Sequence, residues 1–553
     1  MGHLVRSSRF ARVLLNAGWD VRLGVISNDT EIINKTSGII EGLNAFRCGE
    51  EEFAGILPDA DVIFADMREI SRGLNDILSG AGKPVMVFDD YGAARDTAEA
   101  VANILPHYAE KRANFTGIRL NPVKTIEGSG EGILIAFGGS DPAGIGLRAA
   151  KSLAGKGRPV YWIRGPLTPG ENVPELPGVE IVQSPPGIAP YLAKCGTVVT
   201  TVGMSMIEAL AGGRKVVTIH PTIYHARVGA SVDGIIDLGI HTLVTPGALR
   251  KACAKSSPQG GGMVWDTRES SDWMIAAAET LAENGAAECP VCGSTRRAAM
   301  FRDATMTLFE CLHCRSNYRY GTSRAGETYQ EDYFEETYKK AYGKTYDEDI
   351  AAIRGYSARR LGIIEGLTGG ARGKRILDIG CAIGVFLDEA RARGWDISGA
   401  EVSGYACRAA EQRFGIRPAG SIDDVTGSFD AVTLWFTLEH IHDPAGFLRR
   451  VHAMTKPGGI LAMGLPHSEG WFAACNRKGY TSARPKEHEF EPSIPAISEL
   501  LARTGYTVTE IKNFGLHPER ISLPGWDFVK KIQEITRKGD TFEIYARKTS
   551  SPD

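Results

Sequence analysis

No stretch of the chain approaches the roughly 20 consecutive apolar residues that a membrane-spanning helix needs, and the amino-terminus has no basic segment leading into an apolar core. Neither a membrane span nor a secretion signal is expected. Charge of either sign is not in excess: 63 Lys and Arg face 66 Asp and Glu, a net charge of −3. That balance gives no footprint for a polyanion, so a nucleic-acid partner is not expected. Cysteine is scarce, ten residues in 553, and Cys48, Cys195, Cys253, Cys381, Cys407 and Cys475 stand singly. Scattered thiols do not make a disulfide framework, and the expected compartment is the cytoplasm. What is present is ordinary globular composition, 43% hydrophobic and 23% charged. The length exceeds what one core can serve, so two or three domains are expected.

Up to about residue 255, short apolar runs alternate with amphipathic stretches. VRLGVIS, DVIFADM, KPVMVFDD, GILIAFGG, PVYWIRG, TVVTTVG and RKVVTIHP read as buried strands, while RFARVLLNAGW and PAGIGLRAAKSLAGK carry apolar residues at helical spacing. This alternation predicts α/β architecture with parallel sheets and ligands at the carboxyl ends of the strands. The pattern restarts at Gly132 after KTIEGSGE, which predicts two sheets. SSPQGGG at 256–262 is the clearest break, followed by an expected helix in SSDWMIAAAETLAENGA. A second α/β pattern begins at KRILDIG. No repeat of the solenoid type is present.

Between the halves, CPVCG at 289–293 and CLHC at 311–314 form two CxxC knuckles. Cys289, Cys292, Cys311 and Cys314 are so spaced that each pair can supply two ligands from one tight turn to a tetrahedral zinc ion. Four thiolates close the coordination shell and leave no position for water or substrate, so the expected zinc is structural, a staple for a small ribbon.

RILDIGCAIGVFLDEARARGW runs from an apolar strand through glycines into a helix. Asp378, Gly380 and Gly384 stand where such a turn lets the backbone approach a cofactor closely. Glu401, in the next expected strand, lies about 20 residues on, where an acid can bind ribose hydroxyls. These residues, with FDAVTLWFTLEHIHDP at 429–444 and KPGG at 456–459, resemble the class I S-adenosylmethionine-dependent methyltransferases, and the resemblance takes in the cysteine knuckles. It implies that Asp378, Gly380 and Gly384 line the methionine part of the cofactor, Glu401 the ribose, and Ile422 with Asp423 the adenine. Ala382 departs from the family, which usually has glycine there; the loop is expected to persist with weaker binding. On the acceptor side, Glu439 and His440 follow the strand of FDAVTLWF, with His467 and His488 further on. His440 is the first candidate for a catalytic base and His488 the second; for each, a hydrogen-bonded structural histidine is the alternative. Methyltransferases with such a zinc ribbon resemble those acting on nucleotide-linked sugars and other small metabolites. Tyr333, Phe334, Tyr338 and Tyr342 read first as packing at helical spacing and second as a lid over the acceptor.

The first half resembles the nucleotide-sugar hydrolases of the pseudaminic acid pathway and the related spore-coat polysaccharide proteins. The residues that carry this are Gly2, His3 and Arg6; Asp89, Asp90 and Tyr91; Gly138, Gly139, Ser140 and Asp141; and GMSMIEALAGG at 203–213. The resemblance implies a GT-B-like pair of Rossmann domains that takes a UDP-linked sugar. His3 would be the base that activates water. Arg6, Tyr91, Gly139, Ser140, Gly203 and Ser205 would line the substrate, and Glu208 would meet the ribose hydroxyls, with the diphosphate received on a helix amino-terminus. Two departures stand out: the family's strand before the first turn is not seen ahead of Met1, and Tyr224 and His225 replace its Asn-Gln pair.

The expected architecture is therefore a first GT-B-like domain over 1–125, a nucleotide-binding domain over 126–285, a zinc ribbon over 286–325 and a methyltransferase domain over 326–553. The expected activity joins methyl transfer to a sugar or related small molecule with hydrolysis of a UDP-linked amino sugar. A glycosyltransferase, or an inactive sugar-binding module, is the alternative for the first half.

Overall fold

The computed structural model describes residues 2–26, 40–105, 112–123, 126, 128, 130–141, 143–168, 173–185, 187–254, 269–321, 346–514 and 539–549. SSPQGGG and the four aromatic residues considered as a lid lie outside them. The chain divides into two compact units, Met1–Ala286 with Arg302–Thr305, and Ala287–Phe301 with Met306–Asp553.

The first unit is α/β. It opens with the helix Gly2–Asn16, then a parallel pair, β1 (Arg22–Ile26) and β2 (Asn44–Cys48). A four-stranded parallel sheet follows in sequential order: β3 (Ile63–Asp66), β4 (Val85–Phe88), β5 (Ala100–Asn103) and β6 (Phe115–Thr116). The second sheet holds β7 (Gly132–Ala136), β8 (Val160–Arg164), β9 (Val179–Gln183), β10 (Cys195–Thr200), β11 (Lys215–His220) and β12 (Ile235–Ile240), all parallel. Its order is β12-β11-β10-β7-β8-β9. The uninterrupted apolar runs have a direct cause here. Ile133, Ile135, Val199 and Val217 fill the core on one face, and Leu134, Ala136, Val198 and Val216 fill the other, so neither face meets water.

In the second unit, β13 (Arg297–Arg302), β14 (Met306–Cys311) and β15 (Asn317–Gly321) form a small sheet completed by a later strand, and the cysteines sit at its turns. The larger sheet contains β16 (Arg375–Ile379), β17 (Asp396–Ala400), β18 (Phe429–Trp435) and β19 (Thr455–Pro466), all parallel. The short β20 (Phe490–Glu491) joins the small sheet beside β15. β21 (Tyr506–Phe514) and β22 (Thr541–Lys548) complete the larger one in the order β17-β16-β18-β19-β22-β21, with β22 antiparallel to both its neighbours. Strand order reverses at β16, whose successors lie on opposite sides of it. A crevice at the carboxyl ends of β16 and β18 follows from that reversal. Among the described residues no helix is long and apolar enough to cross a membrane.

Candidate functional sites

In the first unit, strand order also reverses between β7 and β10, which brings two turns to one place. Gly138, Gly139 and Ser140 form the turn after β7, and Gly203 precedes the helix Met204–Ala211 after β10. Gly203, at φ 152, caps that helix without a side-chain hydrogen bond, so its first amides, Ser205 included, have no side-chain acceptor there. Asp141 accepts from the amides of Ile145 (2.9 Å) and Gly146 (2.8 Å), and so caps the helix Ile145–Leu153 itself. Glu208 is ion-paired with Arg9, which gives this carboxylate a partner that the sequence did not reveal.

His3 and Arg6 lie one helical turn apart on Gly2–Asn16 and converge on Asp66 at the end of β3. His3 Nδ1 is 2.6 Å from Asp66 Oδ1, and Arg6 Nε is 2.9 Å from Oδ2. Arg6 is 1% exposed and also pairs with Asp89. Burial opposes the charge on Asp66, but the Arg6 guanidinium, and then His3, hold its carboxyl at about 2. An ionised Asp66 accepts from Nδ1–H of His3 and leaves Nε2 as the basic nitrogen, with the side chain 39% exposed. Asp89 accepts from the amides of Ile104 and Leu105, and Asp90 from those of Ile70, Gly92 and Arg95, so both organise loops. Tyr91 is fixed through its amide to the Arg68 carbonyl (3.0 Å). Tyr224 lies under the Arg68 guanidinium at 4.3 Å, and His225 Nδ1 lies 2.7 Å from the Thr222 hydroxyl.

In the second unit, the four Sγ atoms of Cys289, Cys292, Cys311 and Cys314 lie within 4.8 Å of one another. The pairs Cys289–Cys314 and Cys292–Cys311 stand at 3.6 Å. Thiolates about 2.3 Å from a central ion at tetrahedral angles are roughly 3.8 Å apart, so the cluster has the dimensions and donor set of a zinc site.

The glycine turn occupies the crevice at β16. Gly380 has φ 75, and a Cβ there would stand 2.5 Å from Thr437 Oγ1. Gly384, at φ 87, caps the helix Val385–Ala392. Ala382, at φ 47, holds a left-handed conformation without being glycine. Glu401 explains how: its carboxylate accepts from the amides of Ala382 (2.9 Å) and Ser403 (2.8 Å), tying the turn to the end of β17. Burial raises its pKa. Asp378 is buried and accepts from the Thr433 hydroxyl at 2.6 Å. Burial pushes its carboxyl up to about 7, against Thr433 and Arg360 and with Glu401 adding to the rise. Ile422 and Asp423 form a short turn past β17, where Asp423 pairs with Arg450.

Beyond β18, His440 and His488 stand edge to face with ring centroids 4.9 Å apart. Nδ1 of His440 is 3.2 Å from the Glu487 carbonyl, and Nδ1 of His488 is 2.7 Å from Glu491 Oε1. Burial, then His488, pushes His440 down to about 3, so its ring is neutral. Glu439 is 0% exposed, neither carboxylate oxygen has a hydrogen-bond partner among the described residues, and burial pushes it up to about 8. His467 is held by the Gly539 carbonyl (3.1 Å) against Phe542, which suits a structural part.

This turn, crevice and strand order coincide with a match of residues 357–511 to the family described as "Methyltransferase domain". The second unit carries a class I S-adenosylmethionine-dependent methyltransferase domain. The ubiquinone biosynthesis O-methyltransferase of Bordetella bronchiseptica is 27% identical over 124 residues, 20% of this chain and 51% of that protein. Its counterpart in Pseudomonas aeruginosa is 33% identical over 101 residues, 16% of this chain and 43% of that one. The chain thus spans about half the length of the curated relatives it matches. Among solved structures, the magnesium protoporphyrin IX methyltransferase of Synechocystis is similar at 14% identity and a TM-score of 0.29, covering 39% of this chain and 97% of that one.

Around His440 and His488, the sequence did not disclose Arg484, Glu491 and Tyr480. Arg484 Nε is 3.3 Å from Glu491, and Tyr480 donates to the same carboxylate. Burial opposes ionisation of Glu491, yet Arg484, and then His488 and Tyr480, hold it at about 2. Asp66 was likewise missed in the first unit; its one signal was an acid closing an apolar run.

Proposed function

We propose that this chain transfers a methyl group from S-adenosylmethionine to a small oxygen-bearing acceptor, a sugar or a related metabolite. The observation that carries the reading is the turn Gly380–Gly384 locked to Glu401 at the switch point of the sheet, within the span matched to the methyltransferase family. Asp378, Gly380 and Gly384 hold the methionine part, Glu401 the ribose, and Ile422 with Asp423 flank the adenine. Transfer is an in-line displacement at the methyl carbon, so orientation supplies much of the rate. Where the acceptor must lose a proton, neutral His440 is the base and His488 stands beside it. Both named relatives are O-methyltransferases of a small metabolite, which favours an oxygen acceptor. The four cysteines hold a structural zinc ion. Calorimetry tests the reading: the wild type binds S-adenosylmethionine, and Gly380→Arg, which drives a side chain into Thr437, stays folded and releases no heat. Wild-type affinity in that variant would remove the site.

For the first unit, the His3–Asp66 pair favours hydrolysis of a UDP-linked amino sugar on a GT-B-like frame. The acid orients the imidazole and supports the charge it gains on taking a proton from water. Gly139, Ser140, Gly203 and Ser205 receive the diphosphate at the switch point, Arg6 supports the base, and Tyr91 borders the sugar. Glu208 reaches ribose only by exchanging Arg9. The setting that joins both activities is cytoplasmic synthesis of a surface or flagellin glycan. Mass spectrometry with a UDP-sugar and water separates hydrolysis, which yields free sugar and UDP, from glycosyl transfer, which needs an added acceptor.

A further inference from the structure

We infer that Glu439, His440 and His488 form a binding site for a divalent transition-metal ion, separate from the cysteine cluster. One ligand atom from each of the three lies within 4.8 Å of the other two. Ligands about 2.1 Å from a shared ion are roughly 3 to 4.2 Å apart, so closure onto an ion requires shifts of under about 1 Å. Glu439 supplies the second observation. Its carboxylate is fully buried, has no hydrogen-bond partner on either oxygen among the described residues, and belongs to a residue brought here by the turn after β18. A buried carboxylate without a hydrogen bond is costly, and a cation between it and two imidazoles removes that cost.

The histidines are oriented as ligands are. A carbonyl only accepts, so His440 Nδ1 carries the hydrogen toward Glu487, and a carboxyl oxygen of Glu491 stands 2.7 Å from His488 Nδ1 as an acceptor. Each ring therefore keeps its lone pair on Nε2, and each is fixed by an outer acceptor, one a carbonyl and one a carboxyl oxygen, as metal-bound histidines are. Arg484 is the nearby cation that would oppose an ion, but it is matched by Glu491. Glu439 remains the group whose polar atoms the described residues leave unmatched. Two imidazoles and one carboxylate select zinc, iron(II) or manganese over magnesium or calcium, and three protein ligands leave a coordination position open. With an ion bound, His440 is a ligand instead of the base named in the proposed function, and metal binding itself does not depend on that function.

The test uses the full chain and cobalt(II) alone as the probe, with metal counted by mass spectrometry after gel filtration. The wild type is expected to hold two equivalents, one showing thiolate-to-cobalt charge-transfer bands and one only weaker ligand-field bands. Glu439→Gln and His488→Ala are each expected to hold one equivalent, with the thiolate bands unchanged and affinity at the second site down at least about 100-fold. Wild-type protein that takes up only the thiolate-bound ion, or variants that retain both, would overturn the inference. The heat of S-adenosylmethionine binding is measured in the same samples. Its absence from the wild type counts against the methyltransferase reading alone, and its presence without a second ion counts against the metal site alone.

Discussion

Ala382 carries a β-carbon in a conformation that L-residues adopt at a cost of about 1 to 2 kcal/mol. The bond from its amide to Glu401 offsets that strain and at the same time occupies the acid expected to bind ribose. Ala382→Gly should relieve the strain and raise thermal stability by the equivalent of about 0.5 to 1 kcal/mol, after the entropy that glycine returns to the unfolded chain. Calorimetry should show equal or tighter S-adenosylmethionine binding; weaker binding would mean that the β-carbon contributes to the pocket. Asp378 gives a pH dependence. Its folded value of about 7 stands above that of an unfolded carboxyl, so the folded state holds the proton more tightly. Stability contributed by the protonated form is full only below the unfolded carboxyl's value of about 3.9, declines as the pH rises, and its last part is lost as the pH passes through about 7. Melting temperature without cofactor should therefore rise as the pH is lowered from 8 to 6.5, and Asp378→Asn should flatten the rise. These acids and glycines were legible from spacing alone. Their partners were not, because Thr437 meets the glycine turn and Asp66 meets His3 only through tertiary contacts, the latter across 63 residues of chain.

Among the elements, the strands expected of the first unit rest on apolar runs, and all seven such runs contain strands. Those not foreseen, β2, β5, β6 and β9 among them, are short, or carry polar residues at the sheet edge as in VEIVQ of β9, where one neighbour is enough. The cysteine-bearing sheet illustrates a different dependence. Its strands are short, and they are closed by turns in which Cys289 and Cys311 accept from the amides of Gly293 and Arg315 through their carbonyls. With an ion held by the four cysteines, as proposed, a ribbon of this size would gain its order from those ligands. Cys311→Ser is expected to abolish one bound zinc, loosen β14 and β15, and cost roughly 3 kcal/mol or more, read as lost amide protection in those strands. Unchanged protection would show that packing of Phe309 and Tyr318 suffices.

At the scale of the whole molecule, two compact units hold two separate sets of groups, each with its own histidine and its own buried acid. Substitution in one should leave the other's ligand binding intact. His3→Ala is expected to abolish UDP release from a UDP-sugar while the heat of S-adenosylmethionine binding stays within error of the wild type. UDP release that survives would make Asp66 and Arg6 purely structural, and a change in the cofactor's heat would reveal coupling between the units.

The position of β22 has a consequence for how the protein is made. Thr541–Lys548 lies between β19 and β21, pairing with both, although it follows them in the chain. During translation the edge of β19 must wait, exposed and unsatisfied, until some 75 further residues have left the ribosome, on the order of several seconds at usual elongation rates. Through that interval the nascent chain offers a bare hydrophobic strand to chaperones, and only the arrival of its successor seals it.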